Sequence, residues 1–98
     1  MAKKNETGST LKEITISMHC ITFNIALLTV EMELPEDFDK NLLHEVMNLT
    51  SECIEKPSGL EKMLKRAILL ENEIADYPLK KSKKEFIYNC MQTFEELL

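Results

Sequence analysis

His19 and Cys20 are neighbours in the chain, and a histidine beside a thiol is the raw material of nucleophilic catalysis. Successive residues on a helix point about 100° apart, so these two cannot form the nucleophile–base hydrogen bond that such chemistry needs. His44 is the only other histidine. A zinc site built from His19, His44 and a cysteine would need long-range assembly, because the spacing is unlike the paired-ligand patterns of zinc sites. The carboxylates Glu31, Glu33, Glu36, Asp37 and Asp39 crowd one short stretch, yet the calcium-loop spacing with its central glycine is absent. No glycine-rich phosphate loop and no G-x-S-x-G elbow occurs. The sequence therefore predicts no enzyme, no metal and no cofactor. The acidic stretch reads as a solvated corner or as an electrostatic contact for a basic partner.

A second charged group lies near the C-terminal end: Lys80, Lys81, Lys83 and Lys84. Four lysines without interleaved aromatics or arginine are a weak nucleic-acid signal, and their place at a helix start is electrostatically unfavourable. The formal net charge of −5 argues the same way. From Glu13 to Glu55 there are nine acids and only Lys40, whereas the signs roughly balance after Lys56. Such asymmetry can orient a partner or a second copy of the chain.

The elements that must position these groups read as helices. Only two glycines and three prolines punctuate 98 residues, enough for one domain. Residues 1–9 are polar and charged, and read as a disordered leader before a helical domain over 10–98. Thr10 and Glu13 form a capping box ahead of a helix over about 11–33. Pro35 and the acids after it suit the first turn of a helix over about 35–56, which carries Phe38, Leu42, Val46, Leu49 and Cys53. Ser58 with Glu61, and Ser82 with Glu85, suggest two further capping boxes for helices over about 59–77 and 83–98, with Pro78 ending the third helix. Lys65 and Arg66 fall on the outer side of that third helix. The connections are short, so sequential helices should be antiparallel neighbours. The expected fold is all-α: a compact four-helix, bundle-like domain with the long first helix as its central member.

That first helix carries two apolar stripes. Leu11, Ile14, Met18, Ile21, Ile25, Leu28 and Met32 alternate in steps of three and four, the seam pattern of a helix packing on other helices. Ile16, Cys20, Phe23, Leu27, Val30 and Leu34 mark another face. Thr15, Thr22 and Thr29 share one flanking position, and Ser17, Asn24 and Glu31 share another. Ile14 to Val30 is 17 residues without formal charge apart from His19, the lower limit for a membrane span. His19 and Asn24 are costly in hydrocarbon, which favours a buried bundle helix.

Three dispersed cysteines, Cys20, Cys53 and Cys90, suit a reducing, cytoplasmic setting. The surplus apolar face and six adaptable methionines point to a non-enzymatic protein-binding module. It would be a small adaptor, a secretion-type chaperone or an inhibitor or immunity protein. The expected contact surface is Ile16, Phe23, Leu27 and Val30, with the acidic and lysine groups setting orientation, and the partner is another protein or a second copy. Two other readings are a small nucleic-acid-associated transcriptional regulator and a protein anchored in a membrane by residues 14–30.

Overall fold

The computed structural model describes residues 10–77 and 79–98. The expected leader over 1–9 and the helix-ending role of Pro78 lie outside the described residues. Four α-helices follow in order: α1 (Leu11–Glu33), α2 (Asn41–Glu55), α3 (Leu60–Ile74) and α4 (Lys81–Leu97), with a 3₁₀ turn (Pro57–Gly59) ahead of α3. No strand occurs among the described residues. Each helix packs on its neighbours in the chain, and α4 returns to pack on α1. The four thus form a closed ring around one core. This corrects the expectation for α1: it is one wall of the ring, and its outward side is left uncovered.

Local chemistry sets the helix ends. The capping box at α1 is complete, with Thr10 Oγ1 accepting from the Glu13 N–H at 3.2 Å and the Thr10 N–H donating to Glu13 Oε1 at 2.8 Å. The other two boxes do not form. Ser58 sits inside the 3₁₀ turn, and α3 starts from Gly59 without a side-chain cap. The fourth helix starts one residue before Ser82, from Lys80, also without a side-chain cap. The second helix begins at Asn41 instead of Pro35, a further correction. Residues 34–40 make a turn closed by the Phe38 N–H donating to the Pro35 carbonyl at 3.1 Å, and Asp39 Oδ1 accepts from the Asn41 N–H at 2.9 Å. Phe38 is buried there, edge-on to Tyr77 with ring centroids 4.6 Å apart. A helix continuing through Phe38 would give up that contact with the segment following α3.

The core joins all four helices. Phe23 meets Phe94 of α4 edge-to-face at 5.4 Å, in one buried cluster that also holds Cys20, Leu27, Leu43, Val46, Met63, Leu70 and Ile74. Thr50 is the one buried polar residue among the described residues, and its hydroxyl donates to the Val46 carbonyl at 2.7 Å. Cys20 and Cys53 are both fully buried, and burial pushes both thiols up. They stay protonated and unreactive. Arg66 does not simply face away: Nε and Nη2 grip both carboxylate oxygens of Glu45 at 3.0 and 2.8 Å, tying α3 to α2.

The two stripes of α1 predict opposite stability responses. Phe23→Ala should destabilise the fold by about 3–5 kcal/mol, the usual range for a buried aromatic. Met18→Ala should stay within roughly 0.5 kcal/mol of wild type when measured on dilute, monomeric chain. Chemical denaturation followed by circular dichroism checks both.

Candidate functional site

The inward face of α1 is its second stripe. Ile16, Cys20, Phe23, Ala26, Leu27 and Val30 are all buried, with Phe23 at 1% and Leu27 at 0% exposure. The expected contact surface of Ile16, Phe23, Leu27 and Val30 is therefore core, which corrects that assignment. The other stripe lies outside. Leu11, Ile14, Met18, Ile21, Ile25, Leu28 and Met32 are all exposed, from 46% at Ile14 and Ile21 to 85% at Met32. Seven large apolar side chains in unbroken register make one continuous strip about 32 Å long at 1.5 Å per residue. Single exposed hydrophobic residues are ordinary, but a contiguous row is not. Elsewhere the exposed large apolar side chains are few per helix: Ile68 and Leu69 on α3, and Phe86 and Tyr88 on α4.

Polar contacts on one flank hold α1 in this rotation. Ser17 Oγ donates to the Ile54 carbonyl at 2.7 Å. Asn24 Nδ2 donates to Ser51 Oγ at 2.9 Å. Glu31 Oε2 lies 2.6 Å from His44 Nε2. All three reach α2, and all three occupy the same heptad position. On the other flank the threonine hydroxyls turn back to their own helix. Thr15 donates to the Leu11 carbonyl at 2.8 Å, Thr22 to Met18 at 3.3 Å and Thr29 to Ala26 at 2.7 Å. With the hydroxyls occupied, that shoulder is uncharged and carries methyl groups.

The expected electrostatic residues come together in part. Lys83 Nζ reaches Glu33 Oε2 at 3.0 Å and the Thr29 carbonyl at 3.3 Å. Lys84 Nζ donates to the Ala75 carbonyl at 2.9 Å, just past the negative end of α3. These two lysines therefore serve the fold, which explains their place at a helix start. Lys81 pairs only loosely with Glu85 along α4, at 3.9 Å, and Lys80 is exposed. At the acidic corner Glu36 and Asp37 are exposed, while Asp39 is taken up by the turn into α2.

Among the described residues no three potential metal ligands meet. His19 is half-buried beside the fully buried Cys20, and His44 is engaged by Glu31. A groove of about 530 Å³ opens between α3 and α4, lined by Ile74, Ile87 and Tyr88 with Glu71 and Lys84 among its polar groups. Burial pushes the Glu71 carboxyl up, and the nearby Glu95 charge adds to this. By length and composition α1 could cross a membrane, and it is the one such helix among the described residues. A third of its apolar window is buried inside the bundle, and Ser17 and Asn24 hydrogen-bond to α2. No family model, curated protein or solved structure matches this chain.

Glu33 gives the corner a pH dependence. The hydrogen bond from Lys83 lowers its carboxyl below the ordinary value. Burial opposes this, and the Lys80 backbone N–H and the Lys83 and Lys80 charges add to the lowering. A carboxylate with a lowered folded value stabilises the fold above its unfolded pKa and loses that contribution as pH falls through the folded one. Glu33→Gln should therefore lower the Tm at neutral pH. The gap to wild type should close as the pH drops below the ordinary carboxylate range, as thermal melts at stepped pH will read.

Proposed function

We propose that this chain is a non-enzymatic protein-binding module whose contact surface is the exposed face of α1. The observation that carries the reading is the uninterrupted seven-residue apolar row from Leu11 to Met32, held outward while the opposite face fills the core. A row stepping by three and four residues fits a helical partner, whose side chains can interdigitate along its whole length. Completing the burial of each half-exposed Leu, Ile or Met is worth on the order of 1 kcal/mol, so this side supplies about 7 kcal/mol. A matched partner face supplies as much again. Set against roughly 4–15 kcal/mol for lost freedom on association, the balance reaches micromolar binding where that cost is about 6 kcal/mol, toward the low end of the range.

The same surface argues against the other two classes. A helix lying on lipid carries lysine or arginine along its polar face, whereas the shoulders here are Thr, Ser, Asn and Glu. A nucleic-acid reader needs free cations, and Lys83 and Lys84 are committed to Glu33, Thr29 and Ala75. The adaptor, chaperone and inhibitor variants share this mechanism and differ in the partner. A cytoplasmic setting accords with three buried free thiols.

Ile25→Glu places a charge in the middle of the row without touching the core. In gentle lysates the tagged wild type should migrate in a species larger than its own 11.4 kDa. The Ile25→Glu chain should migrate as a monomer with unchanged helicity. Equal elution of the two forms would remove the reading.

A further inference from the structure

The occupant of the exposed α1 face is the next question, and its answer rests on the protein-binding reading above. We propose that this face pairs with the same face of a second copy, the two α1 helices running antiparallel about a two-fold axis. A strict three–four alternation sustained over seven positions is what two supercoiling helices require of each other, and a self-complementary face satisfies it on both sides at once. In one register Ile14 meets the partner's Met32, Met18 meets the partner's Leu28, and Ile21 meets the partner's Ile25. The two-fold axis then repeats these three layers in reverse order.

Charge selects the orientation. One end of the row is the start of α1, where Lys12 and the positive end of the helix dipole offset Glu13, whose carboxylate is held in the cap. The other end carries Glu31 and Glu33, engaged by His44 and Lys83, and leads to the exposed Glu36 and Asp37, which supply its acidic charge. Parallel pairing stacks the two acidic corners on each other. Antiparallel pairing sends each acidic corner to the opposite helix start. The shoulders permit close approach in that arrangement: the threonine flank faces its own copy, and on the other flank Glu31 meets Ser17 of the partner instead of another carboxylate. All seven residues of the row stay exposed with the other three helices packed in place.

Sedimentation equilibrium of the purified full chain across the micromolar range tests the pairing. The mass should rise from 11.4 kDa toward twice that value, while Ile25→Glu and, as a second folded control, Met18→Glu stay monomeric. Orientation is read by disulfide formation between exposed positions, the native cysteines being buried. A mixture of Ile14→Cys and Met32→Cys chains should cross-link. Met32→Cys alone should not, since antiparallel pairing holds its two copies roughly 27 Å apart along the axis. A chain that stays monomeric at every concentration overturns the proposal. So does a dimer that both glutamate variants leave intact, and so does efficient cross-linking of Met32→Cys alone. A monomer that binds phosphatidylcholine–phosphatidylglycerol vesicles through this face overturns it in favour of lipid. If the purified chain is monomeric but its larger lysate species still collapses in Ile25→Glu, only the second copy is excluded and the protein-binding reading survives.

Discussion

The burial of one face of α1 is the interaction on which the rest of this molecule depends. Phe23 stands at its middle, edge-on to Phe94, and the apolar residues one turn away on either side reach α2 and α4. The third helix does not lean on α1 to any comparable degree. It closes the ring by packing on α2 and α4. A four-membered ring needs only one buried stripe from each helix, and α2, α3 and α4 supply one each. The first helix has two, so the architecture itself leaves its second stripe without an intramolecular partner.

Much of this was legible in the residues. The helical period, the four elements, the position of the first helix and its reciprocal Thr10–Glu13 cap all follow from local pattern. The choice of inward stripe does not. Both rows have helical spacing and similar hydrophobicity, and the contacts that separate them come from far along the chain: Ser17 to Ile54, Asn24 to Ser51, Glu31 to His44. The late start of α2 has the same origin. Pro35 and its acids satisfy every local preference for a helix start, yet Phe38 is held by Tyr77 across the fold. Tertiary contact outweighs a propensity worth only tenths of a kcal/mol per residue. The Ser58 and Ser82 patterns fail for a smaller reason: each helix begins one or two residues away from where a serine cap would have to stand.

The charged residues changed meaning more than the apolar ones. As a sequence feature the lysines of α4 look like a patch aimed outward. In the fold Lys83 straps α4 to the end of α1, and Lys84 occupies a carbonyl just past the end of α3. Cations that crowd one helix start therefore neutralise the ends of two other helices. What is left facing solvent there is Lys80 and Lys81 together with Glu36 and Asp37, while the outward side of α1 is apolar.

A helix with two apolar faces also poses a problem of rotational degeneracy. Turned half-way about its own axis, α1 would offer the core Ile14, Met18, Ile21, Ile25 and Leu28, a row as greasy and as regular as the native one. Hydrophobic burial alone hardly distinguishes the two dockings. The discrimination falls to Ser17, Asn24 and Glu31, which in the native rotation find the Ile54 carbonyl, Ser51 and His44 on α2. In the turned state they would point toward α4 and leave those partners. Three modest polar contacts, placed one heptad apart, thus act as a keyway that gives the ring a single native rotation for its first wall.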